Sequence, residues 1–427
     1  MLFKNISYLD ENFEMVSDAY VGTKNGVIDY ISTEKPDWGY GEIYDGTGKL
    51  LIPGLVNNHC HAAMTLMRGY GEGLPLQEWL TEKIFPFEAK LTDDVVYWGA
   101  LLGMAEMLAS GVTSFSDMYL GDEGMAKAVL EAGMKCNFMN APICTDGTPL
   151  MQQAFFPKSL ESIKKYGHSR GRFVQEFGLH AEYTACERLI KDSTEFSRKN
   201  DLRQQVHISE TKREHEDCIK RTGVTPAQYL DSFGFFGQPT NAAHCVWASD
   251  EDIKIFAERG VTVTHCPTSN MKLGSGFMPL RKMLDAGVNV ALGTDGASSN
   301  NNLNMFEEMH IAALICRGIT GNAAEVSSKE ILRMATINGS KSQGRAETGL
   351  IKKGWHADLA VVDLSAPHMT PCYDVTDNLV FSAQASDVAL TMVDGEVLYR
   401  DGKWKTIDVA KVRDKISYHL PRILAQV

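Results

Sequence analysis

Two histidines separated by one residue, His59 and His61, stand at the end of an apolar run. On a β-strand, residues two apart point to the same side, so both imidazoles can reach one metal ion from one strand. Three further residues of metal-binding type, His207, His244 and Asp295, follow far downstream. A zinc site on a helix would space its histidines four residues apart, and a structural zinc site would use paired cysteines. Neither spacing occurs, so the pattern predicts a metal site carried by strands.

This mixture of imidazole and carboxylate groups suits zinc, with iron or manganese as alternatives. A metal ion bound by such a set lowers the pKa of a bound water toward neutrality and so produces a hydroxide nucleophile. A single histidine is more often a hydrogen-bonded core residue. Because the His-x-His pair, two more histidines and Asp295 occur together, the sequence favours a divalent metal ion, with zinc preferred.

A carboxylate with catalytic potential lies close to one of these histidines. Glu210 stands three residues after His207, just past the same predicted strand. It can reach a water on the metal without ligating the metal, and can therefore act as a general acid and base. The alternative is a solvated loop glutamate, because the charged run 211–217 follows it. His244 is either a fourth ligand or a group that orients the attacking water and stabilises charge at a tetrahedral centre, and we favour the second role.

The segments that must position these residues alternate between helical and strand character. The candidate strands lie around residues 51–59, 112–118, 134–141, 173–180, 204–209, 240–246, 261–266 and 288–294. Eight such units predict an α/β fold of the (β/α)₈ TIM barrel type, whose active sites lie at the C-terminal ends of the strands. The candidate metal-binding residues all fall at or just past such ends. An open doubly wound sheet is the alternative, but no G-x-G-x-x-G follows the first strand.

The two ends of the chain differ from its middle. Residues 1–54 and 347–427 contain short apolar runs separated by turn signals such as Asp394-Gly395. We expect these ends to form one small β-sandwich domain together, with a C-terminal helix. The metal-dependent barrel would then span residues 55–346.

The composition excludes several classes of protein. The 427-residue chain has a net charge of −12 and so lacks the basic surface that nucleic-acid binding requires. Its nine cysteines form no C-x-x-C pair, no signal-peptide pattern begins the chain, and no apolar run is long enough to cross a bilayer. We expect a cytoplasmic protein with a small-molecule substrate and no nucleic-acid or membrane partner. A homo-oligomer is compatible with this interpretation, because symmetric assemblies of one chain predominate among soluble oligomers.

Several segments resemble motifs of the amidohydrolase superfamily, and the resemblance covers nearly the whole chain. These segments are 52–61, 206–210, 243–245, 265–274, 292–296 and 354–359. The resemblance implies that the metal ligands are His59, His61, His207 and Asp295. Glu210 and His244 would transfer protons and polarise the substrate, and Asp295 would also shuttle a proton. Members with two metal ions bring a lysine from the fourth strand, and the corresponding segment here contains none, so one metal ion is expected.

Segments 64–69, 78–80 and 85–88 are similar to the branch that holds the methylthioadenosine and S-adenosylhomocysteine deaminases. The branch resemblance implies that Glu88 binds the ribose hydroxyls and that His180 contacts the purine. A carboxylate suits a vicinal diol because it can accept two hydrogen bonds at once. The alternatives are a helix-surface glutamate and a strand-end histidine with a local partner. Three further substrate contacts are expected: Trp79 as an apolar wall, Ser299 near the metal, although it can instead cap a helix, and Asn140 after the third strand.

The chain departs from this branch in one respect. Where S-adenosylhomocysteine deaminases place arginines for the amino acid carboxylate, the segment 138–142 and the residues up to Arg170 contain none. A buried carboxylate without a cationic partner binds poorly. We therefore expect hydrolytic deamination of an adenine-type nucleoside with a neutral 5' group, such as adenosine, 5'-deoxyadenosine or methylthioadenosine. The alternatives are deamination of another heterocycle, such as guanine, a pterin, cytosine or an s-triazine, and, more remotely, a noncatalytic barrel scaffold.

Overall fold

The structure, a computed structural model, describes residues 1–427. In chain order the strands are β1 (Leu2–Leu9), β2 (Met15–Lys24), β3 (Val27–Ser32), β4 (Ile43–Asp45), β5 (Lys49–Pro53), β6 (Leu55–His61), β7 (Val112–Tyr119), β8 (Lys135–Asn140), β9 (Phe173–Gln175), β10 (Gln204–Ile208), β11 (Thr240–His244), β12 (Thr262–His265), β13 (Asn289–Leu292), β14 (Asp295–Gly296), β15 (Leu359–Asp363), β16 (Val388–Val393), β17 (Glu396–Arg400) and β18 (Lys403–Trp404). These strands form three sheets, and two of them carry the site.

The α-helices are α1 (Leu76–Trp79), α2 (Phe85–Glu88), α3 (Asp93–Ala109), α4 (Asp122–Ala132), α5 (Phe156–Tyr166), α6 (Glu187–Lys199), α7 (Lys212–Thr222), α8 (Pro226–Ser232), α9 (Asp250–Arg259), α10 (Pro267–Lys272), α11 (Leu280–Asp285), α12 (Met305–Thr320), α13 (Ser328–Met334), α14 (Ile337–Ser342), α15 (Val375–Phe381) and α16 (Val409–Leu424). Most of them alternate with strands β6 to β14, as the sequence pattern predicts. None combines the length and the apolar character needed to cross a membrane.

Strands from both chain ends share one nine-stranded sheet. Its order is β18-β17-β16-β15-β5-β1-β2-β3, with β4 beside β1. This sheet has its own buried apolar cluster, which includes Phe3, Val21, Leu51 and Leu390 and is separate from the larger core around the helices. The predicted strand 51–59 is in fact divided between two sheets, because the chain passes from β5 to β6 at Gly54. A β-carbon at Gly54 would lie 2.2 Å from the Thr113 side chain, so only glycine allows this close crossing.

The middle of the chain forms two parallel sheets, β14-β6-β7-β8-β9 and β10-β11-β12-β13. Two residues separate β13 from β14, which joins the sheets at one edge. At the other edge, the segment after β9 bonds to β10. The Leu179 N–H donates to the Gln205 carbonyl at 3.2 Å, and the His207 N–H donates to the His180 carbonyl at 2.9 Å. The arrangement is an α/β fold of the TIM barrel type, as predicted.

A buried ion pair joins the barrel strands to the nine-stranded sheet. Lys135, on β8, is 4% exposed, and its Nζ lies 2.7 Å from Asp358 and 2.6 Å from Asp394. Asp358 precedes β15, and Asp394 lies in the turn between β16 and β17. A buried ammonium group is stable only beside groups of opposite charge, and here both carboxylates come from residues that adjoin strands of the nine-stranded sheet.

Candidate active site

The predicted metal-binding residues meet at the C-terminal ends of four barrel strands. His59 and His61 lie at the end of β6, His207 lies near the end of β10, His244 ends β11, and Asp295 lies three residues past the end of β13. The ligand atoms of the first three lie within 4.8 Å of one another, as do those of His59, His244 and Asp295. The structure therefore brings together residues that are more than 230 positions apart in the sequence.

Hydrogen bonds orient two of these imidazoles toward the common centre. The His61 Nδ1 contacts the Met118 carbonyl, and the His207 Nδ1 lies 2.8 Å from the His180 carbonyl. Both bonds leave Nε2 for a metal, which is the usual arrangement in histidine metal sites. His59 is fully buried, and neither of its ring nitrogens has a hydrogen-bond partner. Such a group is costly unless a ligand completes it, so the side chains present fit a divalent cation.

Hydrogen bonds also fix the orientation of the Asp295 carboxylate. Its Oδ2 accepts hydrogen bonds from Ser269 at 2.6 Å and from Ser299 at 2.7 Å. Its Oδ1 lies 3.0 Å from the His61 Nε2 and 3.6 Å from the His59 Nε2. Although burial alone would raise it, the pKa of Asp295 lies well below its ordinary value because of these histidines. The ionised oxygen Oδ1 therefore faces the predicted metal position.

Burial sets the protonation of two of the histidines, whereas the pKa of His61 is raised to about 9 by Asp295 in spite of its burial. Burial lowers the pKa of His59 to about 4 and holds that of His207 well below its ordinary value. Both imidazoles are consequently neutral at pH 7, which is the form that binds a metal ion.

Glu210 and His244 lie side by side next to this cluster. The His244 Nε2 is 3.8 Å from the Glu210 Oε2, and the His244 Nδ1 is 2.9 Å from the Asn270 Oδ1. The only hydrogen bond to the Glu210 carboxylate is a long one, 3.5 Å, from the Ser275 hydroxyl. Burial raises the pKa of Glu210, so proton uptake by this carboxyl becomes easier near neutral pH. Its surroundings suit a group that must take up and release a proton.

A cavity opens over these groups. Most of its 21 lining residues are hydrophobic, and none is a lysine or an arginine. Four of the predicted substrate contacts, Trp79, Glu88, His180 and Ser299, line it together with Glu210 and His244. A mostly apolar pocket with a few convergent polar groups is typical of a small-molecule site.

Neighbouring groups determine how Glu88, His180 and Trp79 face the cavity. Glu88 ends α2, and burial raises the pKa of its carboxyl to about 7. The His180 Nδ1 lies 2.9 Å from the Thr184 hydroxyl, which leaves Nε2 available to a ligand. The Trp79 indole N–H donates to the Tyr70 carbonyl at 3.2 Å, so the apolar part of its ring contributes to the wall.

Asn140 is the predicted substrate contact that the structure does not bring to the cavity. It is buried at the end of β8, and its side-chain amide donates to Asp122 at 2.9 Å. The sequence places it at a strand end, but its side chain contacts α4 instead of the cavity. The observed contact gives Asn140 a structural role.

Several residues of the site were not predicted from the sequence. Tyr119 ends β7, is 3% exposed, and has a hydroxyl without a hydrogen-bond partner; Tyr183 follows His180 and also lines the wall. Asn270, which contacts His244, lies in segment 265–274, and the family resemblance of that segment implies no role for this residue. Their positions just past strand ends are the signal that could have identified them.

The fold and the site together define a metal-dependent hydrolase of the TIM barrel type. Residues 50–398 match the model of the amidohydrolase family. The chain belongs to that family.

Named relatives agree along almost the full length. The chain is 41% identical to the 5-methylthioadenosine/S-adenosylhomocysteine deaminase of Acetivibrio thermocellus, over 99% of both chains. It is 42% identical to the 5'-deoxyadenosine deaminase of Methanosarcina mazei, over 90% of this chain and 89% of the relative. Among solved structures, an adenosine deaminase from Xanthomonas campestris with bound zinc superposes with a TM-score of 0.92 at 29% identity, covering 99% of this chain and 98% of the other.

Proposed function

We propose that this protein is a metal-dependent aminohydrolase that converts an adenine-type nucleoside into the inosine-type product and ammonia. The observation that carries the proposal is a cluster of histidines and Asp295 at one end of a cavity that also presents Glu210 and Glu88. The relatives named above are deaminases of adenine nucleosides, which supports the same reaction here.

The metal would be held by His59, His61, His207 and Asp295, which are the implied ligand set. Zinc is the ion we propose, because the similar adenosine deaminase contains it and because imidazole with carboxylate suits it. When bound, the ion supplies Lewis acidity that lets water act as a nucleophile near neutral pH. A single ion is proposed because the segment 172–180 offers no lysine to bridge a second one.

Glu210 is the proposed proton carrier of the reaction. As water attacks the carbon that bears the amino group, the carboxylate takes the proton of the water and passes it to the adjacent ring nitrogen. His244 lies 3.8 Å from Glu210 and is placed to stabilise charge at the tetrahedral carbon. Asp295 accepts the remaining proton of the added water and delivers it to the amino group. The carbon–nitrogen bond then breaks, ammonia leaves, and the carbon keeps the oxygen as a carbonyl group.

The remaining cavity groups are proposed to bind the nucleoside. Glu88 would accept hydrogen bonds from both ribose hydroxyls, and His180 would contact the purine through Nε2. Trp79 would form an apolar wall, and Ser299 would act on the reaction through its bond to Asp295. Because no lysine or arginine lines the cavity, the 5' group is proposed to be neutral.

The substrate is tested by ammonia release from the zinc-loaded protein with adenosine, 5'-deoxyadenosine, methylthioadenosine, S-adenosylhomocysteine and guanine. We expect kcat/KM for the three neutral nucleosides to exceed that for S-adenosylhomocysteine by at least about tenfold, since its carboxylate would lack a cationic partner. Turnover of guanine alone would contradict the nucleoside proposal. If the zinc-loaded protein released no ammonia from any of these compounds, the proposed reaction itself would be contradicted.

Replacing Glu88 with glutamine tests the ribose contact. We expect kcat/KM for adenosine to fall by about 100-fold, because a buried ribose hydroxyl left without its acceptor costs about 1–3 kcal/mol. The matched control is Glu78→Gln, which removes a half-exposed glutamate at the surface that contacts Arg213. An unchanged kcat/KM for every nucleoside in Glu88→Gln would argue against recognition of the ribose by this carboxylate.

We further propose a closed (β/α)₈ barrel over residues 55–346 and a small β-sandwich domain formed by residues 1–54 and 347–427. The shared nine-stranded sheet and its separate apolar cluster support the sandwich.

All nine cysteines are free thiols, which supports a cytoplasmic location. A homo-oligomer is also proposed, and light scattering of the purified protein tests it.

A further inference from the structure

Glu214 is a buried carboxylate that the proposed mechanism does not use. It lies in the first turn of α7 and is 3% exposed. One of its oxygens accepts a hydrogen bond from the Ser209 N–H at 2.8 Å, and the other accepts one from the Glu210 N–H at 2.7 Å. Each oxygen of the carboxyl group therefore serves as the acceptor for one main-chain N–H group. A single side chain thus holds both residues that directly follow β10.

The backbone held by Glu214 is strained. Ser209 has a φ of +47°, a conformation that residues other than glycine seldom adopt. Its carbonyl accepts a hydrogen bond from the Trp247 N–H at 3.0 Å, and its hydroxyl lies 3.0 Å from the His215 Nδ1. Strained backbone at a functional site persists only where the surrounding contacts fix it. Glu214 supplies the two N–H contacts of this turn.

The Glu210 carboxylate, by contrast, has little support of its own. Its oxygens lie 3.5 Å from the Ser275 hydroxyl and 3.8 Å from the His244 Nε2. Both distances are too long for strong hydrogen bonds. The direction in which this carboxylate points therefore depends on where its main chain is held.

We propose that Glu214 is a positioning residue that sets where the Glu210 carboxylate meets the substrate. The inference rests on the proposed function, because it assumes that Glu210 transfers the proton. The sequence offers no sign of this role, since Glu214 belongs to the charged run 211–217. Its neighbour Glu216 is 50% exposed and lies 3.6 Å from Lys212 at the surface.

The first test replaces Glu214 with glutamine, which turns one acceptor oxygen into an amide that opposes an N–H donor. We expect kcat to fall by about 100-fold, because small displacements of a catalytic group cost this much. KM and zinc content are expected to stay within about twofold, since neither the cavity wall nor a metal ligand changes. Glu214→Asp, which keeps the carboxyl group but shortens its reach, is expected to lower kcat as well, and it covers the case in which the first variant does not fold.

Two matched controls separate positioning from helix stability. Thr211 caps the same helix through a 3.2 Å bond from the Glu214 N–H to its hydroxyl, so Thr211→Ala is expected to lower the melting temperature and keep kcat. Glu216→Gln removes a surface carboxylate from the same helix and is expected to change neither. A wild-type kcat in Glu214→Gln and Glu214→Asp, or an equal loss of kcat in Thr211→Ala, would overturn the inference.

A double variant tests whether Glu214 acts through Glu210. Adding Glu214→Gln to Glu210→Gln is expected to cause no further loss of kcat, because the group being positioned is already gone. A further loss as large as in the wild-type background would overturn the inference. Normal activity of Glu210→Gln alone would instead reject the proposed role of Glu210. An inactive Glu210→Gln beside a fully active Glu214→Gln would reject only the positioning role.

Discussion

Replacing Glu210 with glutamine is expected to lower kcat by about 10³-fold while the protein keeps its metal. Glutamine has nearly the same size and can still accept a hydrogen bond, but it cannot take a proton from water and deliver it to a ring nitrogen. Glu210 is 5% exposed and lies 3.8 Å from the His244 Nε2, so no bulk water replaces its function. The measurement is single-turnover ammonia release from adenosine together with zinc analysis of the same preparation.

The control for this variant is Glu216→Gln, because Glu216 is a half-exposed carboxylate six residues further along. It is expected to retain wild-type kcat. If Glu210→Gln kept kcat within about tenfold of the wild type, general acid and base catalysis by Glu210 would be rejected. Proton transfer would then have to pass through His244 or Asp295.

The metal-binding cluster is the part of the site that could be predicted from the sequence. His59 and His61 obey the two-residue period of a strand, and parallel strands of a barrel end at the same face. Those two rules were enough to place His207, His244 and Asp295 together, although Asp295 is more than 230 positions from His59. Such rules act on strand ends, and they need no knowledge of side-chain packing.

The cavity walls could be predicted only in part. Asn140 and Tyr119 both stand at the ends of neighbouring strands, yet Tyr119 lines the cavity and Asn140 bonds to Asp122. Tyr119 and Asn140 are register partners on β7 and β8, so strand alternation directs both side chains to the same face of the sheet. The two residues differ only in their contacts past the strand ends, and such packing cannot be inferred from the period of a strand.

The proposed role of Glu214 and the crossing at Gly54 could not be predicted from the sequence, for a different reason. Both depend on a contact between segments that only the folded chain brings together. The crossing requires Thr113 of the next strand beside Gly54, and Glu214 reaches back to the N–H groups before its own helix. A charged run and a single glycine do not reveal such contacts, because many solvated helices and ordinary turns contain the same residues.

Removal of the metal is expected to abolish turnover and to lower the melting temperature. Activity should fall by more than about 10³-fold after dialysis against a chelator, because Lewis acidity is worth several kcal/mol at the transition state. Stability should fall as well, because a metal that binds only the folded state stabilises it by mass action. His59 gives this expectation a structural basis, since both of its ring nitrogens are buried and unpartnered. The measurements are ammonia release and thermal unfolding before and after the addition of zinc.

Titration of zinc into the metal-free protein separates one site from two. Activity and melting temperature are both expected to recover fully with one equivalent, because the fourth-strand segment offers no lysine for a second ion. His59→Gln should neither bind zinc tightly nor recover, whereas His419→Ala, which removes a histidine of α16 that contacts Asp94, should behave like the wild type. Full activity without metal would refute the proposed chemistry. Recovery only at two equivalents would keep the chemistry and refute the single-ion site.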